Sequence, residues 1–290
     1  MNGERDLLRA VCQRGAPLLP SSSTRLAFEL VRDESLNDDV LVEHLESDPR
    51  LRYGVLIGAN MQLFGGRRAV KTVRQALGHL GRNKCQSVLW LLALSDFIRS
   101  WQPLSERGRL RLWKHSLLTA VVAHELLCAC GLGRGGEGLA AGMAHDAGHL
   151  LLESPAARLE IVWHEEHDEL VERQVRPSPQ RDHCRLGAAL LNLWEAPEEL
   201  VAAAEHHHAP ATAPDSLRPL VTAVRLADLL AEHIDGERRQ RALHLESDPV
   251  WRELAALEPW SAAPELHHRA IELLPESLLM AEHLANLLGD

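Results

Sequence analysis

The chain is poor in the residues that build sheets: its 290 residues include three phenylalanines, one tyrosine and few threonines. Leucine and alanine dominate instead, a balance that favours helix over strand. No stretch alternates apolar and polar residues at the period of a strand, and no internal repeat is found. Cysteine supplies no framework. The five cysteines (Cys12, Cys85, Cys128, Cys130 and Cys184) are odd in number and scattered, and Cys128-Ala129-Cys130 lacks the two-residue spacer of a redox or zinc pair. They read as reduced thiols of a cytoplasmic protein. Positive charge is also short, with 31 basic against 41 acidic residues and a net charge of −10. That balance argues against nucleic acid as a partner, and Gly66-Arg67-Arg68 is only a short basic patch. The most apolar runs, Val88–Leu94 and Leu117–Val122, fall well below the roughly 20 residues that cross a bilayer. The polar start, Met1-Asn2-Gly3-Glu4-Arg5-Asp6, has no signal-peptide core. No membrane partner is expected.

What is present is helical periodicity, and an all-α fold is predicted. Leu36, Val40, Leu41 and Leu45 mark a helix over Ser35–Glu46 that stops at Ser47-Asp48-Pro49. Leu51, Val55, Leu56 and Ala59 mark the next. Thr72 and Gln75 match a capping box ahead of Val73, Ala76, Leu77 and Leu80. Asn83–Trp101 and Arg109–Cys130 read as long helices separated at Trp101-Gln102-Pro103-Leu104. Gly131–Gly138 holds five glycines without the Gly-Lys-Ser/Thr ending of a P-loop, so it reads as a flexible turn. Helices follow over Leu139–Leu152, Asp182–Trp194, Pro197–His208 and Leu220–His233. The expected organisation is an N-terminal helical part over 1–108, a metal-binding bundle over 109–236 and a C-terminal helical extension over 237–290.

Metal-binding side chains recur on the apolar faces of these helices. His115 shares its stripe with Leu118, Val122 and Leu126. His183 leads Gly187, Leu190, Leu191 and Trp194, and Gly187 would permit close helix approach. His207 lies below Leu200 and Ala203, His208 below Val201 and Ala204, and Asp228 below Val221 and Val224. Burying such groups singly is costly, and a shared metal resolves the cost. His145-Asp146 is adjacent in sequence, so on a helix its side chains point about 100° apart. Both reach metal only if the ion sits near the axis of a bundle, as in helical di-metal sites. Imidazole with carboxylate suits iron, manganese or zinc better than calcium.

Several motifs occur in a recognisable order: Leu45-Glu46-Ser47-Asp48-Pro49, Gly58-Ala59-Asn60, Ala76-Leu77-Gly78-His79-Leu80-Gly81, Trp113-Lys114-His115-Ser116, Ala141-Gly142-Met143-Ala144-His145-Asp146-Ala147-Gly148 and His206-His207-His208. In these the chain resembles the HDOD domain, a relative of the HD phosphohydrolase superfamily found in bacterial signalling proteins, over roughly Leu18–His233. The resemblance implies an N-terminal helical subdomain packed on an HD-like helical bundle. It also implies that His115, His145, Asp146 and Asp228 hold one divalent ion. His183, His207 and His208 match the positions of a second ion in the branch that cleaves cyclic di-GMP, with Asp146 bridging. Iron or manganese is expected ahead of zinc or magnesium.

Three departures bear on activity. The lysine that follows the His-Asp motif in active families is His149, the Gly-Tyr-Pro signature is replaced by Ala209-Pro210, and the glutamate one turn before the first histidine is Arg111. Phosphate could still be met by Lys114, Arg111 or Arg185. The expectation is a regulatory output module that binds one or two metal ions. Its partner would be another signalling protein or a small nucleotide ligand, and self-association into a homo-oligomer is compatible with the sequence. The alternative is a di-metal phosphohydrolase or phosphodiesterase acting on a nucleotide or cyclic dinucleotide, with Asp146 and His149 as its catalytic residues. His164-Glu165-Glu166-His167-Asp168 is not a zincin motif, because that motif needs histidines four apart. It reads as a solvated acidic helix, and His267-His268 as surface.

Overall fold

A computed structural model describes residues 19–64, 69–102, 104–152 and 183–235, with a few further positions between 251 and 282. Cys12, Gly66-Arg67-Arg68, the His164–Asp168 stretch, His267-His268 and most of the extension from 237 lie outside the described residues. Among the described residues the fold is all-α, and no strand occurs. Among these residues no helix is long and apolar enough to cross a membrane.

The N-terminal part is built from short, well-capped helices. Helix α1 (Ser22–Arg32) opens with the Ser21 hydroxyl accepting from the Thr24 amide. Asn37 does the same for α2 (Asp38–Ser47), accepting from Asp39. Asp48 ends α2 and caps α3 (Pro49–Asn60), where Pro49 fills a first-turn position that needs no amide hydrogen. The Ser47-Asp48-Pro49 break therefore both stops and starts a helix. At the head of α4 (Val73–Ser100) the Thr72 hydroxyl accepts from the Gln75 amide, while the Gln75 side chain accepts from Lys71, one residue before the cap. Gly81 interrupts α4 with φ 69°, a backbone state that favours glycine. The kink carries Arg82 across to the end of α1. There its guanidinium donates to the carbonyls of Leu30, Asp33 and Leu36 at 2.8–2.9 Å and to the Asp38 carboxylate at 2.9 Å.

The second part comprises α5 (Glu106–Ala129), α6 (Gly135–Ala144), the single turn α7 (His149–Leu152), α8 (His183–Leu193), α9 (Glu198–His206) and α10 (Arg218–Asp235). Helices α5, α6 and α10 pack on one another, and α8 packs on both α7 and α9. The glycine-rich stretch is only partly a turn: Gly131 and Gly133 have φ near 70°, but Gly135, Gly136 and Gly138 are already helical. Small residues there let α5 and α6 approach closely, since a Cβ on Gly142 would stand 2.5 Å from the Ala120 Cα.

The two parts share one core, joined by an aromatic chain. Phe28 of α1 stacks on Trp90 of α4 at 4.0 Å between ring centroids. Trp90 faces Trp194, just past the end of α8, at 6.3 Å, and Phe97 meets the edge of Trp194 at 4.9 Å. The Trp101 indole donates to the Leu150 carbonyl in α7 at 2.7 Å. These contacts position α7 and α8, which carry His149 and His183 of the cluster described next.

Candidate metal centre

The site residues expected from the sequence, His149 included, come together from six helices or their ends. His115 projects from α5. His145 caps the end of α6, and Asp146 lies in the turn that follows. His149 begins α7 and His183 begins α8. His207 and His208 leave the end of α9, and Asp228 projects from α10. The expectation of a continuous helix over Leu139–Leu152 is corrected here. The chain leaves the helix after Ala144 and makes tight turns, with Ala147 bonded back to Ala144 and His149 to Asp146 at 3.0 Å. Helix α9 likewise ends at His206, before the two histidines that matter. In both places the ligand pair lies at or just past the end of a helix, with His145 and His207 still in helical dihedrals. Gly148 lets this turn pack against the start of α8: a Cβ there would sit 1.8 Å from the His183 carbonyl oxygen and 2.7 Å from the Gly187 amide. Gly187 is itself within 3.1 Å of the Gly148 nitrogen at the Cβ position, the close approach expected of it.

The Asp146 carboxylate is divided between two groups of histidines. Its Oδ2 faces His145 Nε2 at 3.3 Å and His115 Nε2 at 3.6 Å. Its Oδ1 faces His207 Nε2 at 3.5 Å and both His149 and His183 Nε2 at 3.7 Å. Asp228 closes the first group, with Oδ1 3.1 Å from His115 Nε2 and 3.6 Å from His145 Nε2. Its other oxygen is held by Arg225, which also approaches Glu232 at 3.8 Å. His208 completes the second group, its Nε2 3.0 Å from that of His183, which lies 3.3 Å from His207 Nε2. His206 turns away and bonds the Thr212 hydroxyl at 2.9 Å.

Two rings have their tautomer fixed from behind. His145 Nδ1 donates to the Gly142 carbonyl at 2.7 Å, and His207 Nδ1 donates to the carbonyls of Ala203 and Ala204 at 3.0 and 3.1 Å. Both therefore aim Nε2 at the cluster, as metal-ligating histidines do. His145 Nε2 is fully buried and has no hydrogen-bond partner. An orphaned imidazole nitrogen between two carboxylates is costly unless a cation lies between them. The spacing fits one: donors about 2.0–2.3 Å from a common ion stand about 3.3–3.7 Å apart in a tetrahedron and about 3.0 Å apart in an octahedron. The first group, spanning 3.1–3.6 Å, falls in that range. His115, His145 and Asp146 could hold one ion, and Asp146, His149 and His183, or His183, His207 and His208, a second.

The electrostatics of the protein alone follow from the same contacts. Burial disfavours charge on His115, but its hydrogen bond with Asp228 and the two carboxylate charges outweigh that and raise its pKa. His145 is raised further, burial again being outweighed by Asp146 and Asp228. Burial works against ionised Asp146 and Asp228 too, yet the surrounding imidazoles hold both well below the usual carboxylate range. His149 moves the other way, pushed to about 3 by burial and then by the neighbouring His183. Protons or metal ions can thus supply the positive charge that the carboxylates require.

The structure also corrects one role. His149, expected as the replacement for a phosphate-binding lysine, stacks on His183 at 4.2 Å and points its Nε2 at Asp146, so it belongs to the ligand cluster. Lys114 and Arg185 are exposed, and Arg111 is half-buried. Sequence reasoning missed Arg225, one turn before Asp228 on the same face, and Cys184, beside His183. Adjacency to a named ligand was the available signal in both cases.

Against this geometry, a family model for the HDOD domain matches residues 16–210. A solved HDOD domain protein of unknown function from Geobacter sulfurreducens superposes with a TM-score of 0.67 at 20% identity, covering 99% of this chain and 97% of that one. A candidate phosphohydrolase from Shewanella amazonensis SB2B gives 0.68 at 18% identity, covering 96% and 98%. An uncharacterised protein of Treponema pallidum (strain Nichols) is 24% identical over 229 residues. These are 76% of this chain but only 43% of that protein's length.

Proposed function

The chain belongs to the HDOD family, and from that premise we propose that it is a signal-transduction output module built round a centre for two divalent ions, without robust catalysis. The observation that carries the proposal is the division of Asp146, one carboxylate oxygen facing each histidine group. Such a carboxylate suits a bridge between two ions. Imidazole-rich ligation favours iron or manganese over magnesium, which prefers oxygen and retained water.

The regulatory reading is favoured because cationic or donor groups that a phosphate would need are drawn into the cluster. His149 turns inward against His183, and Arg225 is held by Asp228 and Glu232. The module would act in the cytoplasm by presenting its helical surface to another signalling protein or by holding a small nucleotide, alone or as a homo-oligomer.

The bridged arrangement also favours a second reading, a phosphohydrolase or phosphodiesterase acting on a nucleotide or cyclic dinucleotide. In that case two bound ions would supply an activated water and neutralise phosphoryl oxygens. Asp146 would hold the pair together, and, with His149 turned onto His183, the exposed Lys114 or Arg185 would be left to meet a phosphate.

Elemental analysis of tag-free protein purified without chelator tests the proposal. Two transition-metal ions per chain are expected, with both lost in Asp146→Ala and no turnover of cyclic dinucleotides or nucleoside monophosphates. Turnover that disappears in Asp146→Ala would replace the regulatory reading with the hydrolytic one. Folded protein without metal would overturn both.

A further inference from the structure

The second histidine group contains a donor of a different kind. Cys184 follows His183 at the start of α8, is buried, and places its Sγ 3.4 Å from His183 Nε2. Ligand atoms of His183, Cys184, His207 and His208 all lie within 4.8 Å of one another. Around His183 Nε2 stand His208 Nε2 at 3.0 Å, His207 Nε2 at 3.3 Å, Cys184 Sγ at 3.4 Å and Asp146 Oδ1 at 3.7 Å. One imidazole nitrogen makes one hydrogen bond, so four polar neighbours exceed what it can satisfy. The separations instead resemble the edges of a coordination polyhedron, about 3.3 Å between nitrogens and slightly longer to sulfur.

We propose that Cys184 is a thiolate ligand of the second ion, making that position a mixed imidazole–thiolate site while the first position has only imidazole and carboxylate donors. This rests on the two-ion reading above. As the sulfur–metal bond forms, the thiol proton passes to solvent. The consequence is unequal selectivity. A thiolate favours zinc, iron(II) or cobalt(II) over manganese and magnesium at the second position, whereas the first accepts the harder ions more readily. The two positions would therefore load different metals from a mixture, which identical ligand sets could not do.

Cobalt(II) titration of the full chain, stripped by chelator and kept reduced, tests the inference by absorbance. Wild-type protein is expected to bind two equivalents, one of which brings a sulfur-to-cobalt charge-transfer band in the near ultraviolet. Cys184→Ser should lose that band, keep the first equivalent and bind the second at least tenfold more weakly, while Cys128→Ser should retain the band. X-ray absorption of the wild-type zinc form needs no variant: a sulfur scatterer at about 2.3 Å beside nitrogens at about 2.0–2.1 Å is expected. Two bound ions without a sulfur shell or band would overturn the role of Cys184 and leave the two-ion centre standing. A band that survives in Cys184→Ser would also overturn it. Failure to bind cobalt or zinc would overturn both.

Discussion

Replacing Gly148 with alanine tests the geometry of the centre without touching a ligand. The added Cβ would meet the His183 carbonyl oxygen at 1.8 Å and the Gly187 amide nitrogen at 2.7 Å. Both obstacles are backbone, so no side-chain rotation relieves them. A Cβ contact below 3.0 Å is essentially never seen, so the backbones must part by more than about 1 Å. Overpacking of this kind costs about 1–3 kcal/mol, and the value here should lie at the upper end. The displacement falls on His183, so Gly148→Ala should lose the second ion before the first. Gly78 is the control: it is helical, a Cβ there meets nothing within 4 Å, and Gly78→Ala should gain roughly 0.5–1 kcal/mol. Urea denaturation of both variants, in chelator, gives the stability change, and elemental analysis gives the metal content. A Gly148→Ala protein as stable as wild type, with full metal content, would refute the packing of α7 on α8 described here.

Two further outcomes follow from the contacts. Arg82→Met removes the donor that satisfies the carbonyls of Leu30, Asp33 and Leu36. These bonds are part-buried or exposed and the Asp33 carbonyl keeps the Leu36 amide, so their loss should cost about 1–3 kcal/mol in total by urea denaturation, and a loss below about 0.5 kcal/mol would refute the account. In chelator, stability should fall as pH drops from 6.5 to 4. His149, His208, His207 and His124 have pKa values lowered chiefly by burial. They outnumber Glu232 and Asp96, whose burial-raised pKa values act the other way, so over this range the unfolded chain binds more protons than the fold does. The raised His115 and His145 already contribute fully below 6.5, and the lowered Asp146 and Asp228 contribute fully above about 4. They leave the trend unchanged. Stability that is level or rises on acidification, measured by denaturation at a series of pH values, would contradict the burial of these rings.

Much of this was legible in the sequence because helix periodicity and capping are local. Thr72, Asn37 and Asp48 announce their helices, and apolar stripes announce the buried faces of α5 and α10. The convergence of His115, Asp146, His183 and Asp228 could be inferred from their placement on apolar faces. The break after Ala144 could not, because Leu139–Leu152 keeps a helical composition throughout. The contact with α8 that excludes a side chain at 148 is visible only in the fold. Cys184 was passed over for a related reason: five scattered cysteines contain no metal-binding spacing, and the site is assembled across helices far apart in sequence. At His149 the resemblance implies a replacement for a phosphate-binding lysine. Its shorter, flat ring stacks on His183 instead.

The seating of α8 has an optical consequence. The helix has 11 residues and is therefore about 16 Å long, with His183 at its first position and Trp194 just beyond its last. Trp194 faces Trp90 with ring planes 17° apart and meets Phe97 edge-on. Two indoles held this near and this parallel couple electronically, and their circular dichroism depends on the angle between them. The protein thus carries an intrinsic chromophore pair at the far end of the helix that begins at the histidine cluster. A tilt of α8 by a few degrees can be read as light, without a label.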